Sequence, residues 1–333
     1  MKKESPPRPS TVTLHDVAQA AGVSVMTVSR ALSKPEVVSS ETLERVLRAV
    51  EETGYIPNLL AGGLKSNRSM TIGALVPFIA VPQFLPTIQT LTEELDQAGY
   101  QLIFGQTGYD YAREPELLET MLGRRVDGIV VFGLLHQTRG AERIRKLGIP
   151  VVETWDLSDR PIDMLVGFSQ MNVGSAVAGF FLSRGWDKAG IATANDDRAG
   201  RRRQGFVATF GREVPTATVN APSSLALGRQ ALAQLLEQEP KLRAVFCSSD
   251  GLAQGVVIEA QARGIRVPQD LAVVGFGDAD FAAHLQPSLT TVRVDGSAIG
   301  RSAAKKILHR CNGEAPDETI TDVGFQIIER QST

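Results

Sequence analysis

Apolar positions near the amino terminus follow the spacing of α-helices. Thr13 and Asp16, three residues apart, form the pattern of a capping box, which predicts a helix over residues 14–21 that ends at Gly22. Ser24 is placed to cap a second helix. The apolar residues of the second helix recur at helical intervals: Val25, Val28, Ala31 and Leu32. This pattern predicts two short helices joined by a tight turn.

A third helix is predicted after Ser39 or Ser40, since either side chain is suited to capping. Its apolar residues share one face: Leu43, Val46, Leu47 and Val50. Gly54 is suited to end this helix, because glycine tolerates the left-handed conformation of a C-terminal cap. Three short amphipathic helices within about 45 residues predict a helical bundle with a small core.

Residues 56–70 form a segment of different character. They include the adjacent glycines Gly62 and Gly63, each of which lowers helix stability by roughly 1 kcal/mol relative to alanine. We interpret this segment as a linker that becomes helical only when something else stabilises it.

From residue 71 onward, apolar runs of strand length alternate with amphipathic helical patterns. The predicted strands are 72–77, 101–105, 128–132, 150–154, 165–168, 190–194, 244–247 and 271–275, and helical patterns cover 88–98, 173–184, 225–238 and 252–263. Such alternation is typical of buried parallel sheets covered by helices. Because about 260 residues exceed one doubly wound unit, we predict two similar α/β subdomains with a cleft between them.

Composition narrows the class of protein. The chain has 333 residues, of which 43% are hydrophobic and 22% charged, as in ordinary folded domains that dissolve in water. No apolar stretch approaches the ~20 residues of a membrane helix. Residues 1–12 are predicted to be a flexible basic terminus without the apolar core of a signal peptide. Two cysteines, Cys247 and Cys311, give neither a disulfide framework nor zinc spacing, so we expect a reduced, cytoplasmic protein.

The first two helices match the helix-turn-helix pattern. Ala18, Gly22 and Val28 stand at offsets 0, +4 and +10, which supply a small residue at the helix contact, a glycine in the turn and an apolar anchor. Residues 1–70 carry nine Lys and Arg against seven Asp and Glu, the direction that a DNA-binding head needs. Spacing alone leaves open a three-helix bundle without a DNA-binding role.

A resemblance to a known family rests on motifs spread over nearly the whole chain. The motifs are residues 13–24, 27–30, 38–39, 54–58, Ala61 with Leu64, 72–73, 126–129, 246–250, 267–270 and 274–276. Together they resemble the lactose-repressor (LacI/GalR) family of bacterial transcriptional regulators. Within that family, 108–109, 151–153, Asp163, 166–168 and the run from 245 to 255 are most similar to gluconate-operon repressors.

The resemblance implies a fold and a division of the chain. We expect a small all-α helix-turn-helix head at 13–55, a hinge at 56–70, and a core at 71–333 with two doubly wound α/β subdomains like those of periplasmic binding proteins. The implied function is a repressor whose affinity for near-palindromic operator DNA is controlled by a small sugar acid. Gluconate or a related aldonate or ketoaldonate fits that description.

The resemblance also assigns DNA contacts in the head. Val25 and Met26 would read base edges through apolar contacts, because neither side chain forms bidentate hydrogen bonds. Arg30 would contact guanine or phosphate, the alternative being a pair with Glu36. Ser29 would face the major groove together with these three side chains. Contacts to phosphate are implied for Thr13, Ser24, Thr27 and Ser39, of which Thr13, Ser24 and Ser39 also suit plain helix capping.

The hinge completes the implied DNA contacts. Tyr55 and Asn58 belong to the matched segment, and Leu64 would wedge into the minor groove while Ala61 packs beside it. The glycines at 62 and 63 depart from a good hinge helix. Folding of this hinge is therefore expected to depend strongly on DNA and on the partner hinge.

An arginine cluster marks the expected ligand cleft. Arg198, Arg201, Arg202 and Arg203 follow a predicted strand, where open α/β sheets bind ligands. A guanidinium group suits a carboxylate or phosphate, although such clusters also form plain solvated helix faces. The family position of the effector-contact arginine falls on Arg202, and Arg198 is the second candidate.

Other loop residues would face the same cleft. They are Gln83, Phe84, Trp155, Asp156, Ser249, Asp250, Gly277 and Asp278. Ser249 and Asp250 suit hydroxyl groups, with helix capping as the alternative for Asp250, and Trp155 also suits an ordinary core. The family often has aspartate where Gly277 stands, so the polar contact is expected to pass to Asp278.

Enzyme chemistry has no support in the sequence. Gly275 and Gly277 lack the third glycine of a dinucleotide fingerprint, no G-x-S-x-G is present, and the four histidines lack metal spacing. We expect no cofactor, no metal and no membrane partner. A periplasmic sugar-binding protein and a nucleotide-dependent enzyme remain as other classes, which a gel-shift assay on the gene's own promoter region separates from a regulator.

We predict a homodimer. One small helix-turn-helix reads only a half-site, and a two-fold dimer matches a near-palindrome. The segment after Val323 contains no leucine heptads that would join dimers. Light scattering at micromolar concentration should report a dimer, and a stable tetramer would contradict this expectation.

We also predict that Leu64→Ala weakens specific operator binding and leaves effector affinity unchanged. The reason is the wedge position that the resemblance assigns to Leu64 in a linker outside the folded core. Gel shifts with the operator, paired with calorimetric titration of the effector, measure the two quantities. Unchanged operator affinity would show that this hinge does not insert into DNA.

Overall fold

The computed structural model describes residues 12–56, 68–135 and 139–333. The chain separates into two compact units between Ser69 and Met70, and each is described by itself. The domain limits inferred from the sequence remain a prediction. Three residues of the predicted hinge contacts, Asn58, Ala61 and Leu64, lie outside the described residues.

The first unit contains the three predicted helices, α1 (Leu14–Ala21), α2 (Val25–Ser33) and α3 (Ser40–Thr53), with a 3₁₀ turn at Pro35–Val37. The Asp16 carboxylate accepts hydrogen bonds from the backbone N–H of Thr13 at 2.7 Å and from its hydroxyl at 2.8 Å, so the capping pair forms. Gly22 has φ +62°, the left-handed conformation that ends α1.

The core of this unit is small and built from valine and alanine. Val17, Val28 and Val46, one from each helix, are fully buried. Arg45 of α3 donates to the carbonyl oxygen of Ala21 at 2.9 Å, which neutralises the carboxyl end of α1 at the turn. The turn between α1 and α2 is thus fixed by α3 as well as by Gly22.

The second unit contains two six-stranded sheets, with strands numbered in chain order. Sheet 1 comprises β1 (Thr71–Val76), β2 (Gln101–Gln106), β3 (Gly128–Phe132), β4 (Val151–Thr154), β5 (Met164–Gly167) and β11 (Ile320–Asp322). Its order is β11-β5-β4-β3-β1-β2, and every pairing is parallel. Helices α4 (Leu85–Gln97), α5 (Glu114–Gly123) and α6 (Arg139–Leu147) connect its first four strands.

Sheet 2 repeats this plan. It comprises β6 (Ala189–Ala194), β7 (Thr216–Val219), β8 (Ala244–Cys247), β9 (Ala272–Phe276), β10 (Thr290–Arg293) and β12 (Gln326–Ile328). The order is β12-β10-β9-β8-β6-β7, with only β12 antiparallel to its neighbour. Helices α8 (Asp197–Phe210), α9 (Leu225–Gln238) and α10 (Asp250–Ala262) connect its first four strands.

The chain passes between the two sheets three times. Helix α7 (Gln170–Ser183) lies between β5 and β6, α11 (Gly296–Cys311) lies between β10 and β11, and a short segment joins β11 to β12. Two doubly wound subdomains joined by crossovers confirm the predicted fold class.

The predicted strands are all present, each with bounds within one residue of the prediction. Four strands escaped prediction: β7, β10, β11 and β12. The strands β7 and β10 are four residues long and contain two threonines each, and β11 and β12 have three residues each. None offers an apolar run that stands out from a loop.

Two glycines bring α7 and α8 into backbone contact. A Cβ on Gly174 would lie 1.8 Å from the carbonyl oxygen of Arg202, and one on Gly205 would lie 2.0 Å from that of Met171. The helix axes can approach this closely only because both positions lack a side chain. The contact fixes the turn of α8 that carries Arg202.

We predict that Gly174→Ala lowers the free energy of unfolding by about 1–3 kcal/mol or more, since the added methyl group overlaps backbone atoms. Gly179 on the same helix is a matched control, because a Cβ there has no atom within 4 Å. Gly179→Ala should be neutral or stabilising by roughly 0.5–1 kcal/mol. Urea denaturation measures both changes, and equal stability of the two variants would contradict the close crossing.

Candidate functional site

A cavity of about 410 Å³ lies at the carboxyl ends of strands from both sheets. We call it the central cavity. Its lining comes from the segments after β1, β2, β4 and β5 of sheet 1 and from those after β6, β7, β8 and β9 of sheet 2. This is the position at which doubly wound sheets bind ligands.

Arg202 forms part of the cavity wall although it is only 4% exposed. Its guanidinium donates to the side-chain oxygen of Gln170 and, at 3.0 Å, to the carbonyl oxygen of Ser248. The guanidinium carbon lies 4.0 Å from the ring centroid of Phe276, a cation–π contact. Burial lowers the pKa of Arg202 to about 10, so the group stays positively charged at neutral pH.

Arg198 lies one helical turn earlier on the same wall and is 7% exposed. Its guanidinium carbon lies 5.1 Å above the ring centroid of Phe84. Within the described part of the chain, the Arg198 side chain forms no hydrogen bond and no ion pair. Its guanidinium faces the central cavity, so its donors are accessible to a ligand there.

Three helices begin at this cavity. Asp196, Ser224 and Ser249 line it, and each is the N-cap of a helix: α8, α9 and α10 respectively. Helix N-termini carry partial positive charge, so their convergence adds to that of the arginines. The Asp196 carboxylate caps α8, because it accepts hydrogen bonds from the backbone N–H groups of residues 198 and 199 at 3.1 and 3.0 Å.

Asp250 is the buried carboxylate of the cavity. It accepts from the backbone N–H of Ala279 at 2.7 Å and from the hydroxyl of Thr291 at 2.5 Å. Burial raises its pKa to about 6, while the two hydrogen bonds oppose that shift. A Cβ on Gly275 would lie 2.2 Å from its Oδ1, so the carboxylate needs glycine there. Ser249, and not Asp250, accepts the capping hydrogen bond of α10, from the N–H of Leu252 at 3.2 Å.

Seven of the predicted cleft residues line the central cavity: Gln83, Trp155, Arg198, Arg202, Ser249, Asp250 and Gly277. Trp155 combines the two roles considered for it, because it is 2% exposed yet contributes to the wall. Its φ is +65°, and its indole N–H donates to the hydroxyl of Thr87 at 3.2 Å. The structure thus brings most of the predicted set together.

Three predicted residues do not line this cavity. Phe84 is fully buried behind the wall, where it packs edge-on against Trp155. Asp156 is held by Arg201 beside a second, smaller cavity. The Asp278 carboxylate pairs with Arg330 at 2.7 Å and also with Arg293, so its charge is engaged there. The arginine at 203 pairs with Glu213 on the surface, as a solvated helix face would.

Several lining residues were missed by the sequence analysis: Tyr109, Gln170, Asp196, Ser223, Ser224, Ser248, Gln254 and Phe276. Most follow a predicted strand directly, which is the feature that could have identified them. Tyr109 belongs to the 108–109 match, and burial raises its pKa to about 12 despite the opposing charge of Arg198. Its hydroxyl therefore remains a protonated donor at neutral pH.

The helix-turn-helix leaves the predicted DNA-reading side chains accessible. Met26 is 58% exposed, Ser29 and Arg30 are exposed, and Val25 is half-buried. Among the described residues, Arg30 makes no ion pair with Glu36, so the alternative pairing is not formed.

The predicted phosphate-contacting residues occupy helix starts. Ser24 accepts from the N–H of Thr27 at 3.1 Å, Ser39 accepts from that of Thr42 at 3.4 Å, and Thr13 pairs with Asp16. Their capping roles are formed, and all three are exposed. Tyr55 is half-buried and packs against the core of this unit.

None of the described helices is long and apolar enough to cross a membrane.

Two protein-family models match the chain. The model of bacterial regulatory proteins of the lacI family matches residues 13–58, and that of the periplasmic binding protein-like domain matches residues 178–333. The chain is also 34% identical to the HTH-type transcriptional regulator GntR of Pseudomonas aeruginosa, and the alignment covers 96% of this chain and 95% of that protein. The chain belongs to the lacI family of bacterial regulatory proteins.

Solved structures agree with this assignment. A LacI-family regulator from Silicibacter pomeroyi superposes with a TM-score of 0.90 at 32% identity, covering 96% of this chain and 99% of that one. The transcription regulator GntR from Chromobacterium violaceum gives a TM-score of 0.75 at 36% identity, covering 79% and 98%. This lacI-family protein is a DNA-binding transcriptional regulator, and the family is not enzymatic. The family resemblance read from the sequence is confirmed.

The buried carboxylate of this lacI-family protein predicts a pH dependence of stability. Because the pKa of Asp250 is raised from 3.8 to about 6 on folding, the folded chain binds more protons between those values. The free energy of unfolding should therefore fall as pH rises from about 4 to 6, by roughly 1–3 kcal/mol more in the wild type than in Asp250→Asn. Urea denaturation across this range measures the difference, and parallel curves would contradict the raised pKa.

Proposed function

We propose that this protein is a repressor whose operator affinity is controlled by a small sugar acid, such as gluconate or a related aldonate or ketoaldonate. The observation that carries the proposal is the Arg198 guanidinium, which is 7% exposed, lines the central cavity and lacks a hydrogen-bond partner among the described residues. A carboxylate is the ligand group that its planar fork binds best.

The charges around the central cavity support an anionic ligand. Arg202 adds a second guanidinium, with an unpartnered buried Nε, and three helix N-termini point their positive ends into the same space. Both lining carboxylates, Asp196 and Asp250, already accept hydrogen bonds from the protein. Among the described residues neither carboxylate forms an ion pair with Arg198 or Arg202, so both guanidinium groups remain accessible to a ligand carboxylate.

The remaining lining suits a polyol chain. Hydroxyl and amide groups stand on both sides of the cavity, among them Gln83, Ser223, Ser249 and Gln254. The oxygens of Ser223 and Ser249 lie 2.8 Å apart, so the pair can donate to and accept from ligand hydroxyls. The resemblance to gluconate-operon repressors and the similarity to GntR regulators agree with this chemistry.

The DNA side follows the family pattern. Val25 and Met26 read base edges through apolar contacts, Arg30 contacts guanine or phosphate, and the exposed caps Thr13, Ser24 and Ser39 meet phosphates. Thr27 also contacts phosphate, Ser29 faces the major groove, and Tyr55 belongs to the segment that leads into the hinge. The hinge residue Leu64 inserts into the minor groove, with Ala61 beside it. A homodimer on a near-palindromic operator completes the complex, and a regulator of this kind works where the chromosome is, in the cytoplasm.

Binding of a sugar acid is expected to depend on the carboxylate. Gluconate and glucitol differ mainly at one carbon, so calorimetric titration with both isolates the charged group. A charge-assisted hydrogen bond contributes about 1.5–3 kcal/mol, hence gluconate should bind about ten to a hundred times more tightly than glucitol. Wild-type binding of glucose or ribose but of no sugar acid among gluconate, 2-ketogluconate and 6-phosphogluconate would contradict the proposed ligand class.

The arginines provide the second arm of this test. Arg198→Gln and Arg202→Ala should each weaken gluconate binding by one to two decades, and Arg198→Gln should leave glucitol binding nearly unchanged. Arg203→Ala is the matched control, because Arg203 lies on the same helix and pairs with Glu213 at 3.0 Å on the surface. Operator gel shifts without ligand should be unaffected in Arg198→Gln. Equal gluconate affinity in all three variants would exclude both arginines as carboxylate contacts.

A further inference from the structure

The loop after β9 carries an aspartate whose carboxylate is kept out of the central cavity. Phe276, Gly277 and Ala279 line the cavity, whereas Asp278 between them does not. The φ of Asp278 is +49°, a left-handed conformation that is uncommon for residues other than glycine. Its side chain is 10% exposed and pairs with two arginines that are not part of the cavity lining.

The first of these arginines, Arg330, comes from the segment after β12. Its Nη2 donates to the Asp278 carboxylate at 2.7 Å, and its Nη1 donates to the carbonyl oxygen of Leu289 at 2.8 Å. Its backbone N–H donates to the hydroxyl of Thr290 at 2.8 Å. Because these contacts fix both the backbone and the guanidinium, Arg330 is held in place beside Asp278.

The residues that follow Arg330 anchor the same segment. Ser332 is fully buried, and its hydroxyl donates to the carbonyl oxygen of Val273 at 2.7 Å. The same hydroxyl accepts from the backbone N–H of Thr290 at 2.8 Å, and the N–H of Ser332 donates to the carbonyl oxygen of Ser288 at 2.9 Å. The end of the chain is thus attached to β9 and β10, the two strands that flank the Asp278 loop.

The second arginine, Arg293, is a weaker partner. Its side chain is 49% exposed, so water and salt screen its charge. The Arg330 side chain is only 14% exposed. Arg330 is therefore the partner that compensates most of the charge on the largely buried carboxylate of Asp278.

The charge on Asp278 is felt at the cavity wall. Its backbone N–H donates to the hydroxyl of Thr291 at 3.4 Å, and that hydroxyl donates to Asp250, which lines the cavity. Burial is the main cause of the raised pKa of Asp250, but the negative charge of Asp278 adds to the rise and the positive charge of Arg330 opposes it. Two side chains outside the cavity lining therefore influence the electrostatics inside it.

We propose that Arg330 sets the preference of the central cavity for an anionic over a neutral ligand, because it holds Asp278 away from the cavity and compensates its negative charge. Without Arg330, the carboxylate of Asp278 would repel the carboxylate of a sugar acid, and a neutral polyol would be little affected. Arg330 does not contact the ligand, so it is a positioning residue that acts through Asp278. The ligand class rests on the proposed function, whereas the electrostatic effect on Asp250 does not.

The test is a double-mutant cycle in the full-length protein with Arg330→Gln, Asp278→Asn and the combination. Calorimetric titration measures the affinities for gluconate and glucitol. Arg330→Gln should lower the gluconate-to-glucitol affinity ratio about threefold to tenfold, the effect of one unit charge across a partly hydrated cavity. Asp278→Asn should raise the ratio, and the double variant should return it close to the wild-type value.

A second measurement needs no ligand. A ¹³C NMR titration of labelled aspartate carboxyls reports the pKa of Asp250, and Asp250→Asn identifies its signal. Arg330→Gln should move the titration midpoint of Asp250 to higher pH, since it removes a positive charge. Asp278→Asn should move the midpoint to lower pH, and the double variant should lie between the two.

Arg184→Gln is the matched control. Arg184 pairs with Glu329, the residue before Arg330, at 2.5 Å, so this variant loosens the same segment without contacting Asp278. Both the affinity ratio and the midpoint should keep their wild-type values. Arg330→Lys, which keeps the charge, should lie closer to the wild type than Arg330→Gln. If Arg330→Gln fails to fold in thermal unfolding, Asp278→Asn decides, and an unchanged ratio and midpoint there would overturn the proposal.

The outcomes separate this proposal from the proposed function. A wild-type ratio and midpoint in Arg330→Gln, a double variant with a ratio as low as that of Arg330→Gln, or equal losses of gluconate and glucitol affinity would each overturn the role of Arg330. A wild type that binds no sugar acid, with midpoints displaced as expected, would support the charge compensation by Arg330 and reject the ligand class.

Discussion

The buried charge of Arg202 is the constraint around which the second unit is arranged. A guanidinium that is 4% exposed must have its donors met or its desolvation becomes too costly. Gln170 from the sheet 1 side, the Ser248 carbonyl from the sheet 2 side and the face of Phe276 stabilise the two terminal nitrogens and the guanidinium plane without a carboxylate, while Nε has no hydrogen-bond partner. The facing surfaces of the two subdomains are thereby tied to a single side chain, and a side-chain-free crossing of α7 and α8 holds its backbone in place.

The two acidic residues that line the central cavity, Asp196 and Asp250, are held by hydrogen bonds from the protein and form no ion pair with its arginines among the described residues. Asp196 accepts hydrogen bonds from the first turn of α8, and Asp250 accepts them from a backbone amide and a threonine hydroxyl. Among the described residues, the Arg198 side chain has no hydrogen-bond or ion-pair partner. The cavity's character is therefore set by which charges are already satisfied, and a count of acidic and basic residues would miss this.

Most helices and strands could be predicted from the sequence, because buried segments have a recognisable pattern of apolar residues. Fully buried strands such as β3 and β8 read as uninterrupted apolar runs, and the caps of the first three helices are polar residues at fixed offsets. Short threonine-containing strands carry no such pattern. For the site, the rule that ligands lie beyond strand ends found the right loops, but it could not tell which side chains turn inward.

Backbone conformation decides which side chains turn into the cavity. Trp155 and Asp278 both have positive φ, +65° and +49°, which the sequence does not announce for residues other than glycine. At Trp155 the indole reaches the cavity wall, and at Asp278 the carboxylate meets Arg330 and Arg293. Partners distant in the chain, such as Arg201 for Asp156, also become visible only once the two sheets are placed side by side.

The three crossings between the sheets have a consequence for biosynthesis. Sheet 1 receives its edge strand β11 and the covering helix α11 only after β10 of sheet 2 has been made. A ribosome adds about 5–20 residues per second, so the helical head can fold early. The β5 edge of sheet 1, in contrast, has no partner strand until β11 has been synthesised near the end of translation. The subdomain encoded first is among the last parts of the molecule to be completed, so its open edge depends on protection until nearly the whole chain has emerged.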